Sequence, residues 1–408
     1  MTDSRTAVRQ RTVLREKGEK PVNINPKSFF GKKIKLGYFI IICLVLVVAT
    51  AVATYSIAIG GFGSKKYLDN AKKYVEIEKI VSEYYIGDVP EDSLYDAACA
   101  GMVRSLNDKW SYYMTPEQYE TYKLSSANEY AGIGVTIQVN DDGDFEVMSV
   151  QNGTPAQTAG IAVGDILLEV DGTALDGMTL EDVRTLVRSK LNTDFQMLIS
   201  SDGTEKTVSV NCKIIYKSPV SNKLLDGGIG YIKIDNFEAG AADETIAAIE
   251  YLIDIGAKSF IFDVRDNPGG LVNEMVKVLD YLLPDGDLFV SVDKKGEETV
   301  MKSDKFCLKY DMVVLVNGNS YSAAEFFAAA LQEYNWATVM GEQTTGKSRS
   351  QITIELSDGG AVHISTKEYL TPKRVDLAEA GGITPDIVIH NEGEADSQLE
   401  KAISQLKR

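Results

Sequence analysis

Histidine is scarce in these 408 residues. There are two, His363 and His390, and no H-E-x-x-H element, which leaves a zinc peptidase without its ligands. The four cysteines, Cys43, Cys99, Cys212 and Cys307, are scattered without metal-like spacing. Cys43 lies in an apolar run, and the other three are odd in number, so at least one is unpaired. They read as small buried apolar residues. Positive charge is short as well. The net charge is −17, and residues 1–36 carry ten Lys/Arg against three Asp/Glu, so the remainder stands at −24. So acidic a body, with no basic aromatic patch, excludes nucleic acid as a partner. At 408 residues the chain can hold two or three domains.

Charge of either sign is missing between Leu36 and Ser64. Tyr38 to Ile59, as a helix, extends about 33 Å, against a bilayer core of about 30 Å. A cleaved signal peptide would have a shorter apolar region and a small-residue exit site, which is not clear here. The stretch therefore reads as a retained transmembrane anchor over 36–64. Lys32, Lys33 and Lys35 flank its start, so 1–35 is expected as a basic, disordered cytoplasmic tail, and the body is expected on the outer side of the cell membrane.

The stretch that organises the rest runs from Met312 to Gln351. Met312-Val313-Val314-Leu315-Val316 is short, β-branched and bounded by Asn317-Gly318, the pattern of a buried strand. After Ser320-Tyr321-Ser322, the run Ala323 to Leu331 lacks Gly and Pro and predicts a helix. A serine at its start meets free backbone N–H groups and the positive end of the helix dipole. Taken alone, Ser322 fits an ordinary N-cap as well as a reactive group. A second apolar run, Ala337 to Met340, leads into Gly341-Glu-Gln-Thr-Thr-Gly-Lys-Ser348, a full match to the phosphate-binding loop G-x-x-x-x-G-K-[ST]. That loop needs a helix after it to aim an N-terminus at phosphate. Here Ile352, Ile354 and Leu356 alternate, so a strand is expected instead. An outward-facing body would also find little ATP.

The ordered pattern N-G-x-S-x-S-A-A-E, helix, strand, G-E-x-T-x-G-K-x-x-x-Q resembles the carboxy-terminal processing peptidases, also called tail-specific proteases. The resemblance implies a serine–lysine dyad with a glutamine beside the lysine, carried here by Ser322, Lys347 and Gln351. Ser320, the first of the S-x-S pair, is not the implied nucleophile. The chemistry fits the residue types. A serine hydroxyl is a poor nucleophile until a neighbour takes its proton, and lysine can do so once burial disfavours its ammonium. Two departures stand out: Ser348 where the family often has Gly, and Tyr321 between the serines where Ala is common.

The likeness extends over about residues 65–390. Residues 65–125 read as helical, with Tyr74, Ile77, Ile80 and Val81 on one face and Leu94, Ala97, Ala98 and Met102 on another. Leu106-Asn-Asp-Lys-Trp-Ser-Tyr-Tyr-Met-Thr-Pro-Glu117 is similar to the family's L-D-P-x-S-x-Y-L-T-P-E. A helical linker or homodimerisation arm is compatible with this. Residues 126–215 resemble a PDZ domain through Gly132-Ile133-Gly134-Val135, Gly153-Thr-Pro-Ala156, Val163-Gly-Asp-Ile-Leu167 and Val170-Asp-Gly172. A helix follows, capped by Thr179 with Asp182 three residues on. Such domains bind chain ends by strand addition. The implied groove comprises Gly132, Ile133, Gly134 and Val135, whose N–H groups would cradle a carboxylate, with Leu180, Val183 and Val187 from the helix.

Residues 216–390 alternate strand and helix, which implies an α/β core. The family shares a crotonase-like or Clp-protease-like core. Its D-x-R-x-N-P-G-G element appears as Asp263 to Gly270. The resemblance implies an oxyanion hole from Ala323 with Gly269 or Gly270. Gly382-Ile-Thr-Pro-Asp386 matches a structural element, and 391–408 reads as a tail or short helix. The expected fold is thus an α+β multidomain chain: one membrane helix, a helical N-terminal region, a PDZ domain and an α/β peptidase core. The implied function is a membrane-anchored serine endopeptidase acting on proteins through their C-terminal tails, without metal or nucleotide. A non-catalytic PDZ scaffold, a nucleotide hydrolase and a hydrolase using His363 are the alternatives.

Overall fold

A computed structural model of the chain describes residues 36–61, 65–89, 91–391 and 395–407. The basic tail, 1–35, and residues 62–64 fall outside them. The chain divides into two compact units, 1–90 and 91–408. In the first, Leu36–Gly61 is a single helix, and its stretch Gly37–Tyr55 has the length and composition of a membrane span. Lys65–Tyr84 is a second helix.

The second unit begins with helix Glu91–Arg104, strand Tyr112–Met114 and helix Pro116–Ser126. Met102, expected on the inner face of the first of these, is 75% exposed, and Val103 is buried in its place. The inward stripe is set by Asp96, which accepts the Tyr113 hydroxyl at 2.6 Å, and Val103 lies two turns further on.

Six antiparallel strands follow, five in the order Val135–Val139, Phe145–Val150, Ile166–Val170, Asp194–Ser201, Thr204–Asn211, and the short Thr173–Ala174 paired with Ile166–Val170. Val135–Val139 forms one edge of that sheet. Helix Leu180–Arg188 carries the expected capping box: Thr179 N–H donates to Asp182 Oδ2 at 2.9 Å, and Asp182 N–H donates to Thr179 Oγ1 at 3.2 Å.

The larger core is built on a sheet whose strands Ile229–Ile234, Ser259–Asp263, Asp311–Val316, Thr338–Gly341 and Ile387–Val388 run parallel, with Val220–Leu225 antiparallel at one edge. Alternation along the strands sorts side chains to two faces. Phe260, Phe262, Val314 and Val316 meet helices Ala241–Asp254, Val272–Leu282 and Ala323–Glu333. Ile261, Val313, Leu315 and Met340 meet Ala402 of the C-terminal helix Ser397–Leu406. A second sheet was not expected from the sequence. Ala361–Leu370 is its centre, pairing with Arg349–Glu355 on one side and with Tyr112–Met114 and Gly286–Asp293 on the other. The pairing of Tyr112–Met114 ties the 108–111 loop to the region around Lys347.

Phe327 is fully buried, with its ring 5.4 Å from Phe237 and 5.8 Å from Phe262. It fixes the helix that begins at Ala323 onto the parallel sheet. Phe327→Ala should cost about 3–5 kcal/mol of stability. The check is a fall in urea midpoint at unchanged slope.

Candidate active site

Ser322 precedes helix Ala323–Glu333 at φ 58°, ψ −127°, a conformation that costs a non-glycine residue strain. The strain is held from several sides. Ser322 N–H donates to Glu325 Oε2 at 2.9 Å. Tyr321 N–H donates to the Asn267 carbonyl at 3.1 Å. Ser320 is committed elsewhere: its hydroxyl donates to the Val264 carbonyl at 2.7 Å and accepts the Asn317 N–H at 3.0 Å. Ser322 Oγ faces Glu325 N–H in a capping box and donates to no acceptor among the described residues.

Glu325 is fully buried and accepts four donors. Oε1 takes the Thr344 hydroxyl at 2.5 Å and Gly346 N–H at 2.7 Å, and Oε2 takes Ser322 N–H and, at 2.8 Å, Lys347 N–H. One carboxylate oxygen therefore joins the backbones of the two residues expected to form the dyad. Burial pushes this carboxyl above its ordinary value, and the four donors hold the rise in check. The sequence showed Glu325 in its S-A-A-E context without a role. Its spacing from Ser322 is that of a capping box, which is the signal that would have found it.

Lys347 is largely buried, and burial is the main cause that lowers its pKa from 10.5. The charges of Asp108, Glu325 and Glu238 oppose that fall, and Lys109 adds to it. Its ammonium lies 4.3 Å from the centre of the Trp110 ring and 5.8 Å from that of Tyr321. It makes no hydrogen bond to Ser322 Oγ in this arrangement. Gln351 does not hold the lysine here either. Its Nε2 donates to the Arg349 carbonyl and the Ser365 hydroxyl, each at 3.0 Å, because the strand pair Arg349–Glu355 and Ala361–Leu370 places Ser365 opposite it. Trp110, which the sequence gave no role, is positioned by its loop: Asp108 accepts from Trp110 N–H and Ser111 Oγ, and Ser111 Oγ accepts Ser365 N–H.

The glycine turn separates the roles of its two glycines. Gly269, at φ 94°, donates its N–H to Asn267 Oδ1 at 2.8 Å, so it is not a free donor. A Cβ there would lie 2.7 Å from Ser322 Cβ and 2.9 Å from Ala323 N, so its service is close approach. Gly270 N–H and Ala323 N–H have no acceptor among the described residues. Beside Gly270 stands Glu238, whose carboxyl burial pushes up to about 7, with Lys347 pulling the other way.

The Gly341–Ser348 loop leads into strand Arg349–Glu355, as the alternation predicted, and its Gly346 and Lys347 N–H groups already grip the Glu325 carboxylate. Ser348 needs no left-handed backbone and donates to Asp376 at 2.5 Å. Ile383 of the C-terminal G-I-T-P-D element donates its N–H to Thr344 Oγ1 at 2.7 Å, which makes that element a support for the Glu325 bracket. His363 is set between Tyr112 and Tyr122, bonds Thr353 Oγ1 at 2.8 Å, and is pushed down to about 4 by burial and by Lys347.

A separate groove lies between the edge strand Val135–Val139 and helix Leu180–Arg188. Gly132, Ile133, Gly134, Val135, Val183 and Val187 line it, as expected, together with Tyr130, Arg184 and Arg188, which were not. Leu180 is not part of the lining. It sits on the helix's first turn, partly buried against the module's own core. The N–H groups of Ile133 and Gly134 have no acceptor among the described residues.

Glu325→Gln keeps the shape but turns an NH₂ toward donors that need an acceptor. The expected loss is roughly 3 kcal/mol. Chemical denaturation measures it, and a change within a few tenths of a kcal/mol would contradict the bracket.

Comparison with known proteins agrees with these elements. Residues 228–389 match the model of peptidase family S41, 146–201 match a PDZ domain, and 54–118 match the activating protease CtpB N-terminal domain. A Staphylococcus aureus protein named "Probable CtpA-like serine protease" is 32% identical over 324 residues, 78% of this chain; the match spans 65% of that protein's length. A Synechocystis carboxyl-terminal-processing protease is 32% identical over 296 residues, 71% of this chain and 69% of its own. The solved structure of an S41 protease from Bacteroides fragilis, at 16% identity, shares the fold with a TM-score of 0.50 over 80% of this chain and 90% of that one. The chain belongs to the carboxyl-terminal-processing proteases of serine peptidase family S41, with a PDZ domain.

Proposed function

We propose that this protein is a membrane-anchored serine endopeptidase that cuts proteins near their C-termini with Ser322 and Lys347. The observation that carries the reading is the single Glu325 oxygen accepting from both Ser322 N–H and Lys347 N–H. Two residues separated in sequence are thereby fastened to one buried carboxylate, one with a strained backbone, the other an amine disfavoured as an ammonium.

In the working cycle Lys347 leaves Trp110 as a neutral amine and takes the proton of Ser322 as its Oγ bonds the substrate carbonyl carbon. The carbonyl oxygen becomes an oxyanion held by Gly270 N–H and Ala323 N–H, the two unclaimed donors. The ammonium returns its proton to the leaving nitrogen, the C–N bond breaks, and an acyl ester remains. Water repeats the sequence with Lys347 as base. Gln351 orients the amine once it has left the aromatic rings, since Gln351 Oε1 accepts no hydrogen bond in the present arrangement. His363, held neutral and engaged with Thr353, is placed outside the reaction.

The 126–215 segment supplies recruitment. The free edge of Val135–Val139 and the unclaimed N–H groups of Ile133 and Gly134 suit an added strand ending in a carboxylate, and Val183 and Val187 suit an apolar last residue. Helix Leu36–Gly61 would anchor the chain in the cell membrane, with the basic tail on the cytoplasmic side and the 216–390 peptidase segment outside. The 65–125 region is assigned to linking and self-association.

Ser322→Ala and Lys347→Ala in the full chain should each lower hydrolysis of a tailed peptide on the order of a thousandfold or more. His363→Ala should stay active and ATP should have no effect. Activity surviving Lys347→Ala would sink the dyad. The pH profile gives a second check. Burial lowers the lysine pKa, so the rising limb of kcat/KM should lie below 10.5. Asp108 is the largest of the charges that hold the proton on Lys347, so Asp108→Asn should move that limb to lower pH. An unmoved or rising limb would contradict the assignment of the base.

A further inference from the structure

We propose that Glu238 is a specificity-determining residue whose carboxylate receives a cationic side chain, lysine or arginine, from the substrate residue flanking the scissile bond. The inference rests on the proposed serine–lysine reaction and adds to it the substrate chemistry.

Position comes first. Phe237 is stitched to the glycine turn on both sides: its N–H donates to the Gly269 carbonyl at 2.7 Å, and its own carbonyl accepts Leu271 N–H at 2.7 Å. A side chain on Gly270 would come within 2.7 Å of Glu238 N. Glu238 is therefore the residue beside the donor assigned to the oxyanion. A peptide carbonyl docked on Gly270 brings its flanking side chain to that place.

The carboxyl is also incomplete. Glu238 Oε2 is cut off from solvent and has no hydrogen-bond partner, and neither oxygen accepts from any of the described residues. A carboxylate so placed is costly unless something pairs with it. The one cation coupled to it is Lys347, which forms neither a hydrogen bond nor an ion pair with it. Nor can Lys347 be its lasting counter-ion, because the reaction needs that amine neutral. Tyr112, the other ionisable group coupled to it, offers no positive charge. A cationic side chain arriving with the substrate would supply the partner and draw the carboxyl into its ionised form. Its arrival satisfies Glu238 and weakens the hold of the Glu238 charge on the Lys347 proton, so a matching side chain helps both binding and turnover. An acidic side chain at that place would meet like charge.

The test uses the full chain in detergent and pairs of peptides that share one C-terminal tail and differ in the residue next to the cut, lysine against methionine. The wild type should prefer lysine in kcat/KM by on the order of tenfold, the usual reach of a charge-assisted hydrogen bond. Glu238→Gln, nearly isosteric, should bring the two peptides level. Glu238→Lys should favour a glutamate-bearing peptide. Cleavage sites in casein, read by mass spectrometry, should lose their Lys/Arg enrichment in Glu238→Gln. An unchanged lysine-to-methionine ratio in Glu238→Gln, with Ser322-dependent cleavage intact, overturns this proposal and leaves the dyad standing. Cleavage that persists in Ser322→Ala overturns both.

Discussion

The local structure depends on the Glu325 bracket. A carboxylate taken wholly out of water is costly, and this one is tolerated because four donors converge on it. Two of them are backbone N–H groups of the loop Gly341–Ser348, one is a hydroxyl of the same loop, and the fourth belongs to Ser322. The loop thus wraps an anion with its amides, as a phosphate-binding loop does. The anion is internal, and no helix follows to supply a dipole. The likeness to a nucleotide motif has a physical basis, and the occupant of the nest rules out its usual ligand.

Around that fixed point, Lys347 is pulled in two directions. Burial favours the neutral amine, while the Trp110 and Tyr321 rings and the Asp108, Glu325 and Glu238 charges favour the ammonium. The net effect is a lowered pKa, so burial prevails. The Trp110 loop is itself fastened through Ser111 to Ser365, the residue that also holds the Gln351 amide. The Trp110 loop and the strand pair that carries Gln351 are thus tied to one another.

Much of this was legible in the residues and some was not. The parallel strands were readable because Met312 to Val316 and Phe260 to Phe262 are unbroken apolar runs, and the helix cap at Thr179 because its spacing is local. Ser322, Lys347 and the glycine turn came from ordered motifs, and the fold brings their segments together. Glu325 was visible but silent, since its partners at Thr344, Gly346 and Lys347 are distant in sequence. Trp110 acts from a separate segment through a strand pairing that no periodicity announced. The direction of the Gln351 amide and the division of labour between Gly269 and Gly270 depend on which groups are already hydrogen-bonded, which only the fold decides. Met102 and Val103 show the ordinary limit: adjacent apolar residues on a short helix leave the inward face open until the partner strand is known.

The two walls of the cleft carry different duties for a physical reason. The wall built from Ser322, Ala323 and the glycine turn stands on fully buried aromatic packing and on Asn267, which is buried and bonds both to Ile234 and to Gly269. It cannot shift without opening the core, so it suits groups that must be preorganised before charge develops. Opposite it, the Trp110 loop meets the Lys347 side chain through aromatic contact, and partly buried hydrogen bonds hold that loop. Glu238 sits on the rigid wall with an unmet hydrogen bond. The strained backbone of Ser322 and the unmet hydrogen bond of Glu238 thus stand beside the same buried packing.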